Sequence, residues 1–428
     1  MRLALVMMGG GARAAYQAGA LRALAELAAQ AEPLRRAMPF TVICGTSAGA
    51  INATSIASHA DHFQHGAARL VDVWAGLSAD KVYRTDWPGI AAAGGRWLAA
   101  LAFGWATFGL GARRTPRTLF DNAPLAHFLA ATLDFHRIEQ MLDARLLHAL
   151  SVTALSYSSG RHLTFYQASE PIQAWRRAQR TARMVALTPA HLLASAAIPY
   201  VFPAVRLELD GHHEYFGDGS IRQIAPLSPA IHFGAERIVV IGASAPTPGA
   251  PAPEAPEVSV ARPDIDVYPT LAQVGQQVLA SVFLDALGAD IERVEHVNRM
   301  VLQLPHTVEP ESGWRHIEVL AIGPSERIEL IAARHLQRLP RSVRMLLGAV
   351  GGNRASGAAF ASYLLFEREF TQALIELGYR DTLAQREVLL SWLKTPTAAP
   401  AAAPTVAPAA PPDPPSGVVT AHPEAPRN

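Results

Sequence analysis

The sequence predicts an α/β protein whose mainly parallel sheet is covered by helices, and two stretches carry that expectation. The first is residues 1–8, an apolar run ending at Gly9-Gly10-Gly11. A helical pattern follows from Ala18 to about Ala31, with Leu21, Leu24 and Leu27 at helical spacing. The second is Phe40-Thr41-Val42-Ile43, which reads as a buried strand. It turns through Cys44-Gly45-Thr46-Ser47-Ala48-Gly49 and gives way to a helix over residues 50–57. Two strand–turn–helix units in direct succession favour a parallel sheet with helices packed on it. Ligands of such sheets bind beyond the carboxyl ends of the strands, where both turns lie.

The remaining elements follow in order. Residues 97–112 carry no charged side chain and are bracketed by Arg96 and by Arg113 and Arg114. They are short for a membrane span of about 20 residues. They read either as a core or cap helix, or as an interfacial lid in which Trp97, Phe103, Trp105 and Phe108 touch lipid. Residues 150–156 alternate like a strand, and residues 160–166 supply the partner of a hairpin. A helix over residues 190–197 stops before Ile198-Pro199-Tyr200-Val201-Phe202-Pro203, where two prolines demand extended backbone. Residues 207–209 and 213–216 flank a turn at Asp210-Gly211 and lead into Gly217-Asp218-Gly219-Ser220. Residues 237–242 are another buried strand.

Residues 246–263 are rich in proline and read as a loop. Helical patterns cover 271–300, 327–339, 341–349, 360–377 and 382–393, with strands expected at 301–304 and 317–322. Residues 395–428 are dominated by alanine and proline and read as a disordered tail without a catalytic part. The expected organisation is a catalytic core over 1–245, the Pro-rich loop over 246–263, a mostly helical region over 264–394 packing on the core, and the tail.

Composition narrows the classes. Half of the 428 residues are hydrophobic and 17% are charged, which gives ample core and a lightly charged surface. A formal net charge of +1 supplies no global field for a nucleic-acid partner. Cys44 is the only cysteine, so an intramolecular disulfide is impossible. At the end of an apolar strand it reads as a buried, inert thiol. The apolar N-terminus is too short for a signal peptide and runs into glycines without a cleavage-like site, so a cytoplasmic protein is expected, one that could rest peripherally on a membrane.

The chemistry centres on Ser47. A strand, Gly45-Thr46-Ser47-Ala48-Gly49, and a helix form the context of a nucleophile elbow. The turn is too tight for side chains beside the serine, and glycine tolerates backbone angles that a Cβ forbids. The helix N-terminus beneath the serine favours a developing oxyanion. Amides of Gly9, Gly10, Gly11, Ala12 and Ala48 are candidate oxyanion donors. Asp218 is the best carboxylate for a base, and His306, after the expected strand at 301–304, is the alternative. A free aspartate is a weak base, so Asp218 would need close contact with Ser47 in a dry site that raises its pKa. The run from Gly9 to Ala14 also fits a dinucleotide fingerprint. That fold wants an acid at the end of the second strand, and this chain has Cys44-Gly45-Thr46-Ser47 there. No metal-ligand cluster is visible in the spacing.

Four blocks resemble the patatin-like phospholipase family. Gly9-Gly10-Gly11-Ala12-Arg13 resembles its oxyanion block, and Gly45-Thr46-Ser47-Ala48-Gly49 its elbow. Ala194-Ser195-Ala196-Ala197-Ile198-Pro199-Tyr200-Val201-Phe202-Pro203 resembles its Ala-Ser-x-Ala-x-Pro-x-x-Phe-Pro block, and Asp218-Gly219 its Asp-Gly-Gly/Ala motif. They occur in the family's order. The resemblance implies a three-layer α/β/α fold and a Ser47–Asp218 dyad without histidine. It implies acyl-ester hydrolysis of phospholipid or related lipid, with no cofactor or metal. Arg13 would brace the Gly-rich loop or attract a lipid phosphate. Two positions depart from the pattern: Ala14 stands where glycine is common, and Ser220 where Gly or Ala follows Asp-Gly. A lipid-binding or scaffold protein that keeps the fold is the non-enzymatic alternative.

Overall fold

The structure, a computed structural model, describes residues 1–84, 118–177, 179–242, 287–303, 315–341, 343–344 and 355–394. Its strands are β1 (Leu3–Met7), β2 (Val42–Thr46), β3 (Ala149–Ser156), β4 (His162–Ala168), β5 (Arg176–Arg177), β6 (Arg180–Met184), β7 (Val205–Leu209), β8 (His212–Asp218), β9 (Arg237–Ile241) and β10 (Glu318–Ile322). Its helices are α1 (Ala15–Ala31), α2 (Ala48–Ala57), α3 (Phe63–Ala75), α4 (Ala79–Val82), α5 (Ala123–Thr132), α6 (Phe135–Asp143), α7 (Pro189–Ser195), α8 (Ser228–His232), α9 (Leu287–Gln303), α10 (Ile328–His335), α11 (Ala355–Ala361), α12 (Arg368–Ala384) and α13 (Arg386–Leu393).

All ten strands join one sheet. Along its main path the order is β10-β9-β1-β2-β3-β4-β6-β5, and the stretch from β10 to β3 is parallel throughout. Side chains alternate across the strands, and each face has its own core. Leu3, Leu5, Met7, Ile43, Leu150 and Val152 enter a large cluster with α1, α2, α3 and α12. Ala4, Val6, Val42, Cys44 and Ala149 enter a smaller one with α8 and α9. Helices on both faces of a mainly parallel sheet make the three layers that the sequence led us to expect.

One detail of the sheet matters for the site. The first part of β3 pairs parallel with β2, ending at Thr46 opposite Thr153. From Ala154 onward the same side of β3 is taken by β8, running antiparallel, with Asp218 opposite Ala154. The carboxyl ends of β2 and β8 therefore meet head to head along one edge of β3.

The sheet continues past residue 245, since β10 adds a strand beside β9. Helix α12 packs on α1 through reciprocal glycines. A Cβ on Gly19 would strike the Ile375 carbonyl, and one on Gly378 would strike the Tyr16 carbonyl. Only bare backbone lets these two helices approach so closely.

Three expectations need correction. Val301, Leu302 and Gln303 form the last turn of α9 rather than a strand. A short apolar run does not separate the two by periodicity, and here the helix carries on through it. The helix expected over 360–377 is broken: α11 ends at Ala361, buried residues 362–366 intervene, and α12 starts at Arg368. Helix α12 then continues to Ala384, past Gly378, because that glycine is a packing contact within the helix and not its end. The expectations for residues 97–112, the Pro-rich loop at 246–263, His306 and the tail at 395–428 fall outside the described residues.

Candidate active site

Strand β2 delivers Ser47 to a sharp corner before α2. Its backbone lies at φ 55°, ψ −131°, a region that side-chain-bearing residues rarely occupy. Strain of this kind costs on the order of 1–3 kcal/mol and persists only where the surroundings hold it. Here they do. Ser47 N–H donates to Ser195 Oγ at 2.8 Å, and Ser195 Oγ–H donates to the Thr153 carbonyl at 2.6 Å, tying the corner to β3.

The glycines answer the tightness expected of the turn and not the unusual backbone angles. Gly45 and Gly49 are not among the positive-φ residues. It is the serine that takes the unusual angle, and the glycines permit close approach. A Cβ on Gly45 would lie 2.5 Å from Ala50 Cα, and one on Gly49 would run into the Met7 and Met8 carbonyls at the end of β1.

Asp218 reaches the corner from the end of β8. Its N–H donates to the Ala197 carbonyl at 2.9 Å, and Gly219 N–H to the Ser195 carbonyl at 3.1 Å. A Cβ on Gly219 would strike the Thr153 carbonyl, so this loop also needs bare backbone. Asp218 is fully buried. Oδ2 accepts a 2.6 Å hydrogen bond from Ser47 Oγ, and Oδ1 accepts one of 2.8 Å from Ser220 N–H. Burial pushes the carboxyl up to about 6, while the bonds from Ser47 and Ser220 pull the other way. Among the described residues no histidine hydrogen-bonds to Ser47 or Asp218.

The Gly-rich turn after β1 faces the same crevice. Gly11 lies at φ 53°, and a Cβ there would meet the Tyr363 carbonyl. Ala12 cannot serve as the oxyanion donor it was expected to be, because its N–H already donates to the Tyr363 carbonyl at 2.9 Å. No hydrogen bond engages the amides of Gly9, Gly10, Gly11 or Ala48 among the described residues. Arg13 is 3% exposed and engaged through all three guanidinium nitrogens: Nε to Ser362 Oγ at 2.7 Å, Nη2 to the Ala359 carbonyl at 3.0 Å, Nη1 to Glu329 at 3.0 Å, with Cζ over the Tyr363 ring. These contacts take three of its five N–H donors inside the protein and tie the turn to residues 329–363. Ala14 sits at φ −67°, ordinary helical backbone that asks for no glycine.

Sequence reasoning gave no role to Ser195, Gln223 or Tyr363. Ser195 sits inside a block quoted for its resemblance, which was its only signal. Gln223 Nε2 donates to Thr46 Oγ1 at 3.0 Å beneath the elbow. Nothing in the sequence ties Tyr363 to the turn at Gly11, because the contact runs through its backbone carbonyl. Cys44 is buried on the far face of the sheet, its thiol pushed up to about 12, as an inert thiol should be.

An apolar cavity opens at Ser47 and follows α2 past Ile51 to Ser55, walled by Leu70, Trp74 and Leu77 on α3 and its following turn and by Leu129 on α5. Ser47 and Ser55 are eight residues apart, about 12 Å along a helix.

A family model described as patatin-like phospholipase matches residues 5–231. The chain belongs to the patatin-like phospholipase family. Among solved structures, the crystal structure of VipD from Legionella pneumophila is similar at 12% identity, over 88% of this chain and 67% of that one. Its TM-score of 0.28 is too low to carry an argument. No curated protein sequence matches this chain. Membership makes this a chain of a lipid acyl hydrolase family, and lipid is the substrate class of that family. Among the described residues no helix is long and apolar enough to cross a membrane.

Proposed function

We propose that this patatin-like protein is a serine acyl-ester hydrolase of phospholipids or related lipids, with Ser47 as nucleophile and Asp218 as general base. The observation that carries the reading is the 2.6 Å hydrogen bond from Ser47 Oγ to Asp218 Oδ2 at a strained strand-to-helix corner.

In the first step Asp218 Oδ2 takes the Ser47 proton as Oγ attacks the ester carbonyl. The oxyanion is received by amides from Gly9, Gly10, Gly11 and Ala48, supported by the positive end of α2. Collapse expels the alcohol or lysolipid, which takes the proton from Asp218 and leaves Ser47 acylated. In the second step Asp218 takes a proton from water as it attacks the acyl-enzyme; collapse breaks the bond to Ser47 Oγ, which takes that proton from Asp218 as the fatty acid leaves. A base near pH 6 is charged at neutral pH and still a useful acceptor, which burial arranges for an otherwise weak carboxylate. The apolar cavity running from Ser47 suits an acyl chain. Hydrolysis of a chromogenic short-chain ester tests the reading. The parent should turn over and Ser47→Ala should not; equal turnover by the two would overturn it.

We also propose that the protein meets the bilayer without spanning it, through Trp97, Phe103, Trp105 and Phe108. This rests on the sequence alone: an uncharged aromatic stretch between arginines. Each large apolar side chain entering lipid contributes about 1.5–3 kcal/mol. Replacing Trp97 and Trp105 with Ser should weaken liposome binding and spare the soluble ester. Unchanged liposome binding would remove this contact from the account.

A further inference from the structure

Ser220 is where this chain departs from the Asp-Gly-Gly/Ala pattern, and its hydroxyl is not used by the mechanism above. Ser220 Oγ is closed to solvent and has no hydrogen-bond partner. Such orphans are rare and call for a reason. A Cβ on Gly9 would overlap this oxygen and stand 2.8 Å from Ser47 Cβ, so Ser220 Oγ and the nucleophile flank one spot beside the Gly-rich turn. The backbone N–H of the same residue already holds Asp218 Oδ1. An oxygen closed to solvent is poorly placed to meet a ligand atom, whereas the carboxylate lies two residues away.

We propose that the Ser220 hydroxyl is a positioning residue for Asp218: a turn about χ1 brings its O–H onto Oδ1, which fixes the carboxylate with Oδ2 towards Ser47. This rests on the Ser47–Asp218 reading. The N–H and O–H of one residue then grip Oδ1 together, and the grip is strongest when Asp218 is charged. Once turned, the hydroxyl would draw the carboxyl down against its burial, as the bonds from Ser47 Oγ and the Ser220 amide do. No charged side chain among the described residues contributes to the Asp218 shift. Its titratable neighbour is Tyr157, whose hydroxyl is held above its usual range by burial and then by Asp218. Tyr157 stays neutral through the pH range of the test.

Removing the hydroxyl must weaken the charged form and move the acid limb of kcat/KM to higher pH. Ser220→Ala should shift that limb upward by about one unit, the size expected for losing one hydrogen bond to a charged group. Ser220→Gly should shift it by the same amount, since the two variants share only the missing hydroxyl. The rate of Ser47 labelling by a fluorophosphonate, followed against pH, should move in parallel. A limb unmoved in both variants, at the parent's melting temperature, would overturn the inference and leave the hydroxyl as a space-filler. If one variant fails to fold, the limb of the other decides. Hydrolysis that survives in Ser47→Ala would bring down the dyad itself, a different outcome from an unmoved limb in an enzyme that needs Ser47.

Discussion

The two Gly-rich turns that close on the crevice are built in opposite ways. The turn after β2 presents a side chain. Its backbone is strained at Ser47, and it is held from within by Ser195, the end of β1 and Asp218. The turn after β1 presents bare amides. It is held from outside, by the Tyr363 carbonyl on Ala12 and by Arg13 reaching Glu329, Ala359 and Ser362. The family model ends at residue 231, and every partner of this second brace lies beyond it. The candidate nucleophile is thus held within the span of the family model, while the turn that bears the candidate oxyanion donors is braced by the C-terminal region. The C-terminal region therefore bears on the candidate site through geometry.

The comparison can be broken first at the nucleophile's turn. Asp218→Asn should lower kcat by at least about 10³-fold, near 4 kcal/mol, as expected for one member of a nucleophile–base unit. Steady-state kinetics on a soluble ester checks it, and a loss below tenfold would remove Asp218 as the base. At the other turn, Arg13→Met should lower stability by about 2 kcal/mol, because it removes the hydrogen bonds to Ser362 Oγ and the Ala359 carbonyl and the partner of the partly exposed Glu329. Denaturant unfolding measures that. The same variant should lower turnover more than it lowers fluorophosphonate labelling of Ser47, since the elbow is not its neighbour.

An effect of similar size concerns the stability cost of the buried base. Asp218 binds its proton more tightly folded, near 6, than unfolded, near 4. The folded state therefore holds more protons between those values, and stability falls as pH rises through that window. The cost is absent below about pH 4 and complete above about pH 6, where it amounts to about 2–3 kcal/mol. Asp218→Asn should be more stable than the parent by up to that amount at pH 7–8, with the gap closing towards pH 4. Thermal unfolding at several pH values reads it. A gap independent of pH would mean that the carboxyl is not perturbed by burial. Smallest of all, Cys44→Ala should leave kcat/KM within about twofold, since the thiol lies on the far face of the sheet from the reacting groups.

Most of the candidate site was legible in the sequence because its pattern is local. A serine between glycines, a strand before it and a helix after it are all within a few residues. Asp218 was the best carboxylate on its strand-like, glycine-flanked context, with His306 left open, and the resemblance chose between them, since no spacing rule connects residues 47 and 218. The structure supplies the cause in β3, which pairs with β2 and then with β8 along one side. What stayed hidden was carried by backbone groups. The Tyr363 carbonyl that occupies the Ala12 amide leaves no mark in the sequence. The tightness at Gly45 and Gly49 was expected, but not that the Met7 and Met8 carbonyls are what Gly49 must clear. The C-terminal helices were misdivided for the same reason: Gly378 looks like a break, and its purpose is contact with Tyr16.

The central claim is that Ser47 is acylated with Asp218 as its base, and fluorophosphonate labelling with peptide mapping tests it most directly. The adduct should map to Ser47 in the parent, be absent in Ser47→Ala, and form with a rate that rises through about pH 6 in the parent but not in Asp218→Asn. An adduct on another residue, or labelling that persists in Ser47→Ala, would contradict the account.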